Sequence, residues 1–389
     1  MFWKKSAKKE APSSEAVIEN DIGVIDLPYL VLTLILMGVG LVMLFSASFP
    51  SAYNETGNSA SYFTSQAIFA ALGVVAMYFI SRVPYRWYFR FSKIIYFVAL
   101  ELLIAVALFG LAGGGAQRWL NIGFLSFQPS ELAKVALIIS MASILTRYRS
   151  HIKSLRTFSA CAVALLLVAV LLILEPHFSA TIIVCLLCFI MMALGGVNLA
   201  YLITIGIVGA AAILLLLLFG GYTSDRLMAW QDPFAYASDE GYQIVQSLYS
   251  IGSGGWLGLG FGMSRQKYQY LPEEHNDYIF AIVCEELGYV GALLILLLFA
   301  FLICRGFWIA IHCRDRFAML MASGLTTLFA LQVMLNIAVV TNFLPSTGIS
   351  MPFFSYGGTA LVVQLAQSGI MLNISRSITQ VPKERRKKS

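Results

Sequence analysis

The chain has 389 residues, of which 59% are hydrophobic and only 12% charged, and its mean hydropathy is +0.79. This composition excludes an ordinary soluble domain and points to a chain solvated by a lipid bilayer. The net charge of +6 is no argument for nucleic acid, because the basic residues gather in short segments between apolar runs, where they orient a membrane protein.

Residues 1–25 are polar and charged, with no short apolar core followed by small residues, and read as a cytoplasmic arm, not a cleaved leader. Apolar stretches follow at 27–48, 63–81, 94–112, 129–146, 157–174, 178–194, 199–220, 279–303, 317–340 and 358–375, each long enough to cross a bilayer as a helix. Runs such as residues 164–174 do not alternate as barrel strands would. The expected fold is therefore all-α, a polytopic membrane domain of about ten transmembrane helices over residues 26–376. With the N-terminus inside, only Arg118, Arg226, Arg265 and Lys267 face outward and Lys134 lies within a span. The remaining basic residues fall in cytoplasmic segments, so both termini are expected in the cytoplasm, with 377–389 as a basic tail. Cys185 and Cys188 have metal-like spacing, but an apolar helix without further ligands makes packing their role. The six cysteines imply no disulfide framework.

The outward segments are richer. Between helices 3 and 4, Arg118 and Trp119 precede Pro129, Ser130, Glu131 and Lys134. Pro129 suits the first position of a helix and Glu131 its positive end. Lys134, inside the span, needs a partner or a wet cavity, and Glu131 three residues before it lies on the same face. Both a structural ion pair and a substrate cavity fit. Residues 221–279, between helices 7 and 8, form a large extracellular loop with many aromatics, an amphipathic stretch over 241–255, and glycines at 252, 254, 255, 258, 260 and 262. Such glycines allow tight turns or close approach to a ligand or another helix. Residues 342–361 carry two prolines and Gly357-Gly358, the pattern of a broken segment tolerated only inside protein or along a cavity.

Four blocks, GLVMLFSAS (40–48), GGAQRWLNIGFLSFQPSELAK (114–134), GYQIVQSLYSIGSGGWLGLGFGMSRQKYQYLPEEHNDYIFAIVCEELG (241–288) and LPSTGISMPFFSYGGTAL (344–361), resemble the SEDS family (shape, elongation, division and sporulation). Its FtsW, RodA and SpoVE branches build peptidoglycan from lipid II, and the last two blocks lean towards FtsW and SpoVE. The resemblance implies a peptidoglycan glycosyltransferase at the outer face of the bacterial cytoplasmic membrane, serving cell division. It implies lipid II, an undecaprenyl-pyrophosphate-linked disaccharide peptide, as substrate, and a class B penicillin-binding protein transpeptidase and other division proteins as partners. Asp277 matches the family's essential aspartate, whereas local geometry alone would equally make it a helix cap. Arg118 is the first candidate for the pyrophosphate, followed by Lys267 and Arg265, with Glu131, Lys134 and Glu285 as further substrate contacts. A magnesium or manganese ion is compatible with this chemistry, although no ligand cluster identifies a metal site.

The chain departs from the family pattern twice. Where Gln-Pro-Asp is common after helix 5 it has Glu175-Pro176-His177, so no carboxylate stands at 177. Ser65 takes a position that is usually basic. Three other readings compete: a lipid II flippase using intramembrane Glu101, Glu131 and Lys134, a RodA-type elongation polymerase, and a structural division protein without chemistry. Clustering of the polar blocks on the outer side favours the enzyme, because a transporter needs polar paths from both faces.

Overall fold

The computed structural model describes residues 23–113, 116–122, 125–207, 209, 228–239 and 241–378. Most of the expected arm, the end of the tail, Arg226 and most of the seventh span lie outside the described residues; of that span, 199–207 and 209 are helical. The ordered elements are α1 (Leu27–Thr56), α2 (Ser61–Ile80), α3 (Tyr85–Phe109), β1 (Leu111–Gly113), β2 (Ala116–Ile122), β3 (Leu125–Phe127), α4 (Pro129–Arg147), α5 (Leu155–Leu174), α6 (Phe178–Gly195), α7 (Tyr242–Ser253), α8 (Ile279–His312), α9 (Arg316–Val340) and α10 (Gly358–Ile378). Among the described residues, eight helices, α1 to α6 with α8 and α9, are long and apolar enough to cross a membrane. The chain is an all-α polytopic membrane protein.

At 21 residues, α10 also has the length to cross, but its Gln364, Gln367, Ser368, Asn373 and Ser375 are all buried. These polar groups are spent inside the protein, which lowers the hydropathy of the helix without exposing them to lipid. In α4 and α9, 78% and 72% of the most apolar window is buried, against 22% in α2. The first two therefore form the centre of the bundle and α2 borders the lipid. Helix ends follow local chemistry. Asp26 caps α1 by accepting from Tyr29 N at 3.0 Å, Asp315 caps α9 from Phe317 N at 2.8 Å, and Pro129 opens α4 with Glu131 in its first turn. Three helices, α1, α3 and α8, overrun the apolar runs by two turns or more. The start of α3, for example, is an aromatic and basic turn, YRWYFRFSK, that hydropathy does not count but the membrane interface accepts.

Two features depart from the expected organisation. The segment between α3 and α4 is a three-stranded antiparallel sheet in the order β1-β2-β3. At the edge of a bilayer such pairing satisfies backbone groups that lipid cannot. Glu101, expected in the interior, is exposed on α3.

The 34-residue α8 is about 51 Å long at 1.5 Å per residue, well beyond the hydrocarbon thickness. It breaks at Gly288 (φ 66°, ψ −172°). The glycine-rich loop fills the break: Leu259 N donates to Glu285 O at 2.9 Å, Gly260 N to Glu286 O at 3.1 Å, and Tyr289 N to Gly255 O at 2.9 Å. A Cβ on Gly258 would run into the Glu286 carbonyl, and one on Gly288 into the Gly258 amide. The glycines thus serve the approach of backbone to a helix. The amphipathic stretch forms α7, which buries Ile244, Val245, Ser247 and Ser250.

The two ends of the bundle differ in charge. One end carries Arg82, Arg86, Arg147, Arg149, Arg305, Arg314, Arg316 and Arg376 and is tied by Arg305 to Asp26 (2.7 Å). The sheet, the α7–α8 loop and residues 341–357 gather at the other.

Candidate active site

Asp277 closes the α7–α8 loop. The N-cap of α8 is Tyr278, and no side-chain hydrogen bond caps this helix, so the capping role is ruled out for Asp277. Its backbone is pinned by Asn336 of α9, whose Nδ2 donates to Asp277 O and to Ile349 O, both at 2.7 Å. One buried amide thereby joins α9, the loop and the broken segment. Asp277 Oδ2 faces Gly348 (φ 67°), where a Cβ would lie 3.1 Å away. Burial, reinforced by Glu273 and opposed by Arg118 and His275, pushes the Asp277 carboxyl up to about 6.

The broken segment is wound into the protein. Met351, Phe353 and Phe354 are buried. Ser355 Oγ donates to Asn276 O at 2.7 Å, Tyr356 N to His275 O at 2.9 Å, and Gly357 N to Gln66 Oε1 at 3.1 Å. His275 stacks on Tyr62 at 4.9 Å, and Ser51 hydrogen-bonds Glu274. Tyr62 and Gln66 lie in α2 and Ser51 in α1, so these two helices hold the loop that carries Asp277. Sequence reasoning missed Gln66; an amide at the start of the apolar run of α2 was the available signal.

Arg118 reaches the same region from β2. Leu111 pairs with Trp119 and Ala112 with Gln117, which leaves Arg118 as the extra residue of a bulge, a device that re-aims a side chain. Its Nη2 donates to Pro176 O at 2.6 Å. Its charge bears on Asp277, Glu175 and His177 alike. Lys134 pairs with Glu131 at 2.7 Å, both buried, and also bears on His177. Asp277, Arg118, Lys134 and Glu131 are therefore gathered at one end.

Lys267 and Glu285 need correction as substrate contacts. Lys267 is 2% exposed and its Nζ is bound by Glu286 Oε1 (2.9 Å), Gly262 O (2.8 Å) and Ser46 Oγ (3.1 Å). Glu285 accepts from Ser264 Oγ (2.5 Å), Arg265 N (3.0 Å), Ser250 Oγ (3.2 Å) and Gln266 N (3.4 Å). Both groups are consumed in fastening the glycine-rich loop to α8, because neither charge survives burial without such partners. Arg265 is exposed on that loop. Among the described residues no three His, Cys, Asp or Glu side chains converge to hold a metal.

Fold and site define a multi-pass membrane protein with a carboxylate and two cations assembled at one end of its helices. The family model of the FtsW, RodA and SpoVE cell cycle proteins matches residues 27–380, and the chain belongs to that family. It is 38% identical to stage V sporulation protein E of Bacillus subtilis, covering 90% of this chain and 97% of that protein. It is 34% identical to the probable peptidoglycan glycosyltransferase FtsW of the same organism, over 91% of each. Its fold is similar to a chain of a peptidoglycan synthase complex described as coordinating polymerization and crosslinking (TM-score 0.76, 26% identity, 92% of this chain and 99% of that one). It is also similar to the rod shape determining protein RodA of Thermus thermophilus (TM-score 0.69, 26% identity, 92% and 98%).

Proposed function

We propose that the chain is a peptidoglycan glycosyltransferase that polymerises lipid II into glycan strands, with Asp277 as general base. The supporting observation is the convergence of Asp277 with Arg118 and Lys134 at the end of the bundle opposite its basic end. Asp277, partly exposed, takes the proton of the acceptor sugar's 4-hydroxyl. The new O4–C1 bond forms as the bond from C1 to the lipid diphosphate breaks, with inversion, and the departing negative charge is met by Arg118 and Lys134. Lys134 lies deeper, held by Glu131, and acts through its field. Arg265, exposed on the loop between α7 and α8, adds to the attraction of an anionic headgroup.

The positive-inside rule sets the basic end in the cytoplasm, with both termini there, and the site at the extracytoplasmic face of the cytoplasmic membrane. The name of the similar synthase complex supports a crosslinking partner, a class B penicillin-binding protein. Similarity to FtsW and to the sporulation protein favours a septal role over elongation. The flippase reading loses support because Glu101 is exposed and Glu131 and Lys134 neutralise one another near the site end.

The test is purified protein with its cognate transpeptidase and lipid II in detergent. Glycan polymer is expected, and Asp277→Ala abolishes it while the thermal unfolding profile is kept. Normal polymerisation by that variant would overturn the base, whereas lipid II translocation in liposomes without polymer would put the flippase in its place.

A further inference from the structure

The turn from α5 to α6 takes no part in the chemistry above, yet it meets the head of Arg118. The Pro176 carbonyl accepts from Arg118 Nη2 at 2.6 Å. Before it in the chain, Glu175 is 1% exposed and its Oε1 meets no hydrogen-bond partner; after it, His177 is 7% exposed with Nδ1 likewise unmet. An ionised carboxylate so placed depends on the nearby guanidinium for its stability. The charged groups around the turn are Arg118 from β2, Lys134 from α4 with its partner Glu131, and Asp277 ahead of α8, which senses Arg118 as well.

We propose that binding of a diphosphate at Arg118 is coupled to proton uptake by Glu175, the carboxylate that competes with the bound anion for that guanidinium. The inference rests on the assignment of Arg118 to the diphosphate made above. Without the anion, burial lifts the Glu175 carboxyl to about 7 against the opposing pull of Arg118, so that near neutrality the group is about half ionised. An arriving diphosphate engages the guanidinium and adds negative charge beside Glu175; both changes disfavour its carboxylate form. Glu175 then takes a proton from solvent onto Oε1 and becomes a neutral hydrogen-bond donor. His177 does not take that proton, because burial, Arg118 and Lys134 hold its imidazole neutral down to about 3.

The experiment uses the full chain carrying Asp277→Asn, which blocks turnover and removes the neighbouring titration. The probe is a short-chain lipid-linked disaccharide diphosphate, a diester with no proton of its own to exchange near neutral pH. Calorimetric titration at pH 7 in buffers of different ionisation enthalpy is expected to show uptake of about half a proton, with affinity rising about threefold for each pH unit lowered near neutrality. Adding Glu175→Gln, which keeps shape and hydrogen-bonding capacity, should leave binding intact and remove both effects. Uptake that persists in Glu175→Gln overturns the inference, and so does binding that requires Arg118 but brings no proton. Binding as tight in Arg118→Ala as in the parent overturns the assignment of Arg118, and the inference with it.

Discussion

Lys267 separates a structural cation from a substrate cation by measurement. Its ammonium is held by Glu286, Gly262 and Ser46 at 2.8–3.1 Å, and both partners of the pair are nearly inaccessible. Lys267→Met would leave Glu286 buried and charged, with Ser46 Oγ at 2.7 Å and Ser264 N at 3.3 Å as its remaining donors. Removing one partner of a buried pair costs about 3–5 kcal/mol, and the two surviving donors put this case near the lower figure. For a chain of this size that is a fall in Tm of about 4 °C. Lys267→Met combined with Glu286→Gln removes the stranded charge while keeping an acceptor for Ser46, and should recover at least half of the loss. Thermal unfolding in detergent, followed by size-exclusion recovery, gives the four corners of the cycle. If Lys267→Met unfolds like the parent and instead raises KM for lipid II, the ammonium serves substrate and the reasoning fails.

The base must be ionised to accept a proton, and burial with Glu273 lifts Asp277 to about 6. The polymerisation rate should therefore climb as pH rises through 6 and level off above it, and Glu273→Gln should move this acid limb downward; a limb left in place by the variant would remove Glu273 as a cause. Gly258 and Gly288 take positive φ (80° and 66°) at a backbone crossing with no room for a Cβ. Alanine at either should cost about 1–3 kcal/mol and unfasten residues 254–263, read out as faster cleavage by an added protease; unchanged cleavage would mean that the loop is held elsewhere.

What could be read without coordinates was whatever depends on neighbours in the chain. Apolar runs marked the membrane helices, Pro129 and Glu131 opened α4 as their types require, and Lys134 found the partner three residues away that helical spacing offered. The broken segment at 342–361 was legible for the same reason, since two prolines and two glycines forbid a continuous helix. Asp277 was found through motif resemblance alone, because its local sequence fits a cap just as well. Glu285 and Lys267 were misjudged because burial and partners drawn from α1 and the glycine-rich loop decide their role, and charge by itself does not distinguish a ligand from a brace. Only the tertiary structure showed that Arg118 stands in a bulge, that Gln66 and Asn336 fasten segments remote in sequence around Asp277, and that Glu175 feels the charge of Arg118. The physical reason is common to all of them. The bilayer acts on each helix separately and leaves its mark on composition, whereas the site is assembled from contacts between residues up to 291 positions apart, which no local pattern records.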